Sequence, residues 1–419
     1  MAKSPKARLA IEGARKVRTQ PWPPRRHMGE EEKQAIVALF DQADKQGSAV
    51  LGYNGPQEEA YCKEFAEAQG GGFADGVNSG TNAVWVALRA LDAEPGSEVI
   101  VPPITDPGGV MPVVLNHCIP VPADGAPGSY NAGAEQIEAR ITERTRAIVV
   151  AHIAGIPADM GAIMKVARAR KLPVIEDCAQ AHGAKYKQRP VGTFGDLAVF
   201  STMFGKQQST GGQGGVVFTR DEELYWRVRR AADRGKPFGL EAAGNVAAGL
   251  NCNMDELHAA IGRVQLRKLP GMIRRRRELA RMLAEGCRKT LGAIRTLGDP
   301  PGCQGSYWFV LFRLEPGAVT VDVDAFAKAL SAEGIPASPS YAAVPVWQDW
   351  YANRAVFGTS GLPWTSPLYK GDPDREYPLP NIEATLRRHF HVTFHEGCSR
   401  REVDDFLAAA ARLERAYGR

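Results

Sequence analysis

The strongest constraint on the fold is an alternation of short, apolar, β-branched runs with stretches of helical periodicity. Residues 98–101, 147–151 and 173–176 read as strands, and residues 158–171 place Ile163, Val166 and Ala167 on one face of a helix between the last two. Strands joined through helices run parallel, so the pattern predicts an α/β fold with a large, mostly parallel sheet covered by helices on both sides. Two further apolar runs, 197–200 and 216–219, flank a polar, glycine-rich segment at 205–215 that reads as an open loop between strands. Upstream, Ile36, Leu39, Phe40 and Ala43 recur at helical spacing within 28–46, and Gly47, Gly52 and Gly55 end that element.

A chain of 419 residues with 44% hydrophobic content has room for a second, smaller core. A helix at 255–269 and a basic helix starting near Met272 read as the bridge to it, followed by a strand at 307–312 and helices near Asp322 and Arg400. The expected organisation is an N-terminal arm (1–28), a large domain (29–270) and a small C-terminal α+β domain (271–419). The net charge of +5 is too small over this length to argue for a nucleic-acid partner. Its local source is the start of the chain, where Lys3, Lys6, Arg8, Arg15, Lys16, Arg18, Arg25 and Arg26 face only Glu12. That cluster reads as a solvated arm, with contact to an anionic substrate or a second subunit as the alternative. The seven cysteines are scattered, with no Cys-x-x-Cys, as in a protein whose thiols stay reduced. The basic start runs into Pro21-Trp22-Pro23-Pro24 rather than an apolar stretch, and no membrane-length segment follows, so a soluble, cytoplasmic protein is expected.

Several residues carry chemistry. Asn78-Ser79-Gly80-Thr81-Asn82 opens an apolar helix over 83–91, and the free N–H groups at a helix start form a phosphate site, although an ordinary cap reads the same. Asp177 ends an apolar strand, at the edge where parallel sheets place ligands; a turn cap is its alternative role. Gln180 follows at a spacing that reaches the same edge, and His182 is read as support for the loop. Lys206 lies just past the strand at 197–200, where a desolvated amine loses proton affinity and becomes a nucleophile and base. Ser201 offers a hydroxyl at the same strand end. These candidates meet three needs of pyridoxal 5′-phosphate (PLP): a lysine for the aldehyde, an acid for the pyridine nitrogen and donors for the phosphate. His389, His391 and His395 alternate along one run, but without cysteine support they read as strand residues, and no metal is expected.

In order and spacing these segments resemble the DegT-type sugar aminotransferases, a branch of the fold-type I PLP-transferases, over most of the chain. The stretch 77–83 resembles the family's phosphate-binding helix start, Glu98–Val101 with Pro102-Pro103 the strand that follows, and 175–184 (IEDCAQAHGA) its most characteristic segment. The resemblance implies that Asp177 meets the pyridine nitrogen, Gln180 the ring hydroxyl, Gly80, Thr81 and Ser201 the phosphate, and that Lys206 holds the aldehyde. Residues 250–256 resemble the segment whose asparagine, here Asn251, reaches the phosphate site of a neighbouring subunit, which implies a homodimer. Three positions depart: Asp106 stands where an aromatic residue usually covers the ring, Gln213 where an acid is common, and Asn253 where an arginine is frequent. The loop between Lys206 and Gly214 is also one residue longer than in many members.

The expected activity is amino transfer from glutamate or glutamine to a keto-sugar or keto-cyclitol, with small molecules as the only partners besides a second copy. A PLP-dependent sugar dehydratase is the nearest rival, but such relatives carry histidine at the position of Lys206. A non-catalytic regulatory protein that kept the fold is the other alternative.

Overall fold

The computed structural model describes residues 8–339, 341 and 343–418. Seven strands form one sheet in the order Phe73–Val77, Gly215–Thr219, Leu197–Ser201, Val174–Asp177, Thr145–Ala151, Glu98–Val101, Ile119–Pro122. Gly215–Thr219 pairs antiparallel with both neighbours, and the other pairs are parallel. Apart from the exposed Arg146, the parallel strands are buried along their length, as strands covered by helices on both faces must be. Their apolar side chains supply cores on the two faces, one around Ile100, Ile148 and Phe200, the other around Val99, Val149 and Ile175.

A second, antiparallel sheet orders Ile294–Thr296, Val310–Leu314, His389–Val392 and Ala337–Pro339. Helices Val323–Ala332 and Arg400–Tyr417 close a separate core over it with Phe312, Phe326, Phe390 and Phe406. The strand expected at 307–312 starts later, at Val310, because Tyr307 adopts a left-handed conformation (φ 47°) that a strand cannot continue through.

Three expectations are corrected. The two helices expected around residue 270 are one, Glu256–Thr290, running through Pro270. A proline inside a helix removes one hydrogen bond and costs roughly 3 kcal/mol; the burial of Met272, Ile273, Leu279 and Leu283 just beyond it offsets that cost. The arm is solvated only in part: Arg8, Arg15, Lys16 and Arg26 are exposed as expected, but other residues of it pack down. Leu9 is fully buried, and Arg18 lies buried with Glu402 at 2.9 Å and Asp405 at 2.6 Å, so charges that look unpaired along the sequence find acids far from them. Lys3 and Lys6 lie outside the described residues. The segment 205–215 is not an open loop either: Gln207, Gln208, Ser209 and Thr210 are wholly buried. Most of their polar side-chain atoms bond inside, for example Gln208 between the Tyr61 hydroxyl (3.1 Å) and the Gly262 carbonyl (3.2 Å), while Gln207 Oε1 is left without a partner.

Candidate active site

The C-terminal ends of the parallel strands surround a cavity of about 270 Å³, lined by Gly80, Thr81, Asp177, Gln180, Ser201 and Lys206 among others. Six of the seven cofactor residues expected from sequence therefore meet in one place, although they span more than 120 positions. The seventh, Asn251, does not line it; its side-chain oxygen accepts from the backbone and side chain of Asn253 at 3.3 and 2.7 Å.

One end of the cavity is the start of helix Gly80–Leu91. Ser79 Oγ accepts from the Asn82 N–H at 3.1 Å and the Ser79 carbonyl from the Ala83 N–H at 2.9 Å, which leaves the first two N–H groups, of Gly80 and Thr81, without a partner in the helix. A β-carbon on residue 80 would stand 2.6 Å from that of Ser201, so glycine is what lets the helix start approach this serine. Two free donors, a dipole end and a hydroxyl converge there.

Asp177 is 6% exposed, and burial pushes its carboxyl up from the usual range, while the Ala179 N–H, Lys206 and His152 pull it down. The cap expected as its alternative role is present, since Oδ1 accepts from the Ala179 N–H at 3.0 Å, but the residue also lines the cavity. Gln180 Oε1 accepts from the Ala154 N–H at 2.8 Å, which fixes the amide so that its Nε2 is the donor end and reaches the Tyr341 hydroxyl at 3.4 Å. His182 donates from Nε2 to the Ser201 carbonyl at 2.7 Å and supports that strand end as expected.

Lys206 is also 6% exposed; burial lowers its proton affinity to about 8, against the pull of Asp177 and Asp106. Its Nζ lies 3.8 Å from the centroid of the Trp308 indole. Asp106 sits on a turn where its Oδ1 caps the Gly108 N–H at 2.9 Å. In place of an aromatic side chain, the backbone at Gly109 comes close to Asp177: a β-carbon there would meet Asp177 Oδ2 at 3.1 Å and Thr105 Oγ1 at 2.7 Å.

A buried carboxylate, free phosphate-type donors and a desolvated lysine around one cavity fit the parts of PLP. The sequence matches the DegT/DnrJ/EryC1/StrS aminotransferase family over residues 30–403. The chain belongs to this family. It is an aminotransferase of the PLP-dependent class. Among its relatives is the L-glutamine:2-deoxy-scyllo-inosose aminotransferase of Streptomyces fradiae, 33% identical over 96% of each chain. The L-glutamine:scyllo-inosose aminotransferase of Streptomyces griseus is 32% identical over 78% of each. Of solved structures, the aminotransferase TlmJ from Streptoalloteichus hindustanus superposes with a TM-score of 0.77 at 28% identity, over 91% of this chain and 95% of that one. The aminotransferase from Psychrobacter cryohalolentis gives 0.80 at 27%, over 93% and 97%.

One cavity-lining residue, His152, carried no sequence signal. It is locked by Glu176, which accepts from its Nε2 at 3.1 Å, and by the Ala158 N–H at 3.0 Å. His152, Glu176 and Cys178 form a metal-like cluster, yet Glu176 also takes the N–H groups of Gly192, Phe194 and Gly195, so its lone pairs are engaged in the protein. His389 and His395 bond to the carbonyls of Thr385 and Pro23. All seven cysteines are free, and among the described residues no helix is long and apolar enough to cross a membrane.

Proposed function

We propose that this chain holds PLP through Lys206 and moves an amino group from glutamine or glutamate to a keto-cyclitol or keto-sugar. One observation carries the reading: Lys206, Asp177 and the open helix start face one cavity. In it, Gly80 and Thr81 bind the phosphate through their N–H groups and Ser201 through its hydroxyl. Asp177, with Oδ1 already bonded to the backbone, keeps the pyridine nitrogen protonated through its other oxygen. Gln180 Nε2 donates to the ring oxygen, because its Oε1 is taken by Ala154.

When bound, PLP supplies an electron sink for the bond broken at the donor's α-carbon. Once free of the cofactor, Lys206 Nζ would take the proton from that carbon and hand it to the cofactor's C4′ within the same half-reaction, and would carry a proton in the opposite direction for the acceptor. A buried amine with proton affinity near 8 is matched to this work at neutral pH. The choice of a cyclitol-like acceptor rests on the relatives of Streptomyces fradiae and Streptomyces griseus, whose names pair L-glutamine with inososes.

Asn251 is assigned to the cleft of a second copy in a homodimer, and the protein to the cytoplasm. The division into an arm (1–28), a large domain (29–270) and a small domain (271–419) is supported by the two larger sheets, although helix Glu256–Thr290 crosses the boundary and Cys303–Gln304 pairs with Lys185–Tyr186 across it.

Borohydride reduction of the holoprotein followed by peptide mapping should leave the cofactor fixed to the peptide bearing Lys206. No modified peptide, or one elsewhere, overturns the assignment. A panel of keto-cyclitols and keto-sugars added to the aminated enzyme then identifies the acceptor by which one restores the aldehyde spectrum.

A further inference from the structure

The Lys206 amine and the Trp308 indole meet across distant parts of the chain, and the indole also anchors the loop by donating from Nε1 to the Gly205 carbonyl at 3.0 Å. Both backbones are held by one ion trio. Arg25 donates to the carbonyls of Lys206 (2.6 Å), Gln207 (3.0 Å) and Phe204 (3.3 Å). Arg276, 1% exposed, donates to the carbonyls of Tyr307 (2.8 Å) and Trp308 (3.2 Å). Glu396 joins them, with one carboxylate oxygen 2.6 Å from Arg25 and the other 2.7 Å from Arg276.

We propose that Arg25, Glu396 and Arg276 form a positioning clamp that sets the Lys206 amine against Trp308 for proton transfer. The proposal rests on the reading of Lys206 as the proton carrier. Two observations set this apart from general support of the fold. The guanidinium groups are spent on the carbonyls of the two short segments that meet at Nζ. Burying three charges is also a poor route to stability alone, whereas fixing a register is the best-attested use of such groups. Glu396 stays ionised throughout, since the two arginines override its burial and hold its carboxyl down at about 2. Arg25 precedes the residues that match the family, 30–403, whereas Arg276 and Glu396 lie within them.

The test compares wild type with R25Q, R25K, E396Q and W308F. The first readout is steady-state kinetics with donor carrying deuterium or hydrogen at the α-carbon. In R25Q and E396Q, kcat should fall about tenfold or more with KM within about twofold, and the deuterium isotope effect on kcat should rise as proton transfer becomes slower than the other steps. R25K, which keeps the charge, should recover to within about threefold of wild type. The second readout needs neither cofactor nor turnover. In the apoprotein, an amine-reactive reagent should label Lys206 about threefold faster or more in R25Q as the loop loosens, with Lys289, 59% exposed, as the unchanged reference. An unchanged isotope effect together with unchanged labelling of Lys206 overturns the clamp, whatever the loss of rate. Should R25Q or E396Q fail to fold, W308F carries the same two readouts: it must raise the isotope effect, and if it does not the proposal fails. Because the labelling arm does not depend on Lys206 carrying the proton, failure of that reading and failure of the clamp are separable.

Discussion

Asp177 and Asp106 line the same cavity on unlike supports. Asp177 ends a core strand hydrogen-bonded on both sides, to Thr145–Ala151 and to Leu197–Ser201. Asp106 is exposed on a turn, held by a cap to its own loop. The difference teaches how this scaffold divides its work. On the proposed reading, the carboxylate set against the ring nitrogen is fixed by the sheet, whereas the one that faces the varying substrate sits on a connection that can change without disturbing the core. Two of the three departures from the family pattern follow this division, since Asp106 and Gln213, both lining the cavity, belong to loops, whereas Asn253 is bridged to Val77 at the end of an edge strand; none falls on Asp177, Ser201 or Gly80.

If that contrast is right, damage should scale with distance from the sheet-borne set. K206A should show the largest loss, about a thousandfold or more in kcat together with the visible cofactor band, because it removes both the anchor and the proton carrier. Retained turnover in K206A sinks the reading. D177A comes next, with roughly a hundredfold loss expected from removal of a buried charge aimed at the ring nitrogen; stopped-flow spectra should show the α-carbon step slowed while cofactor still binds. A third measurement concerns the apoprotein. Lys206 holds its proton with a pKa of about 8 when folded against 10.5 as an ordinary lysine, so between those values the unfolded chain binds more protons and stability rises with pH. Below pH 8 the cost of burying the ammonium is fully present; above 10.5 it is gone. The slope amounts to on the order of 3 kcal/mol, and thermal melts of apo K206M should lack it.

The sheet-borne half was legible in the sequence because its signals are local. Asp177 and Gln180 sit in one unbroken segment, the helix start announces itself by Ser79 and Gly80, and Lys206 follows a buried strand at a short fixed distance. What escaped was non-local or rested on burial. No periodicity reveals that Arg25 reaches the carbonyl of Lys206, 181 positions away, or that Arg18 pairs with Asp405, 387 away. The polar run at 207–210 reads as solvated until Tyr61 and Gly262 are found beside it. Pro270 reads as a helix break because a local rule cannot weigh the tertiary packing that overrides it. Trp308 gave no sign of its place because its loop belongs to the second sheet's half of the chain.

The smallest expected effect is the most informative about the acceptor. D106N removes a charge but keeps the turn, since an asparagine oxygen can still accept from the Gly108 N–H. Donor KM and cofactor affinity should stay near wild type, and kcat/KM for the acceptor should change by less than about tenfold. The pH response has a definite sign. Burial lowers the Lys206 proton affinity and Asp106 is one of two carboxylates that raise it, so D106N should shift the apoprotein's Lys206 titration to lower pH, read by the pH dependence of amine labelling. D106F, which restores an aromatic residue, should instead change the ranking of keto acceptors while leaving the first half-reaction with the donor intact. A D106N enzyme that lost its cofactor, or fell as far as D177A, would place this turn with the sheet-borne set and erase the contrast between the two carboxylates.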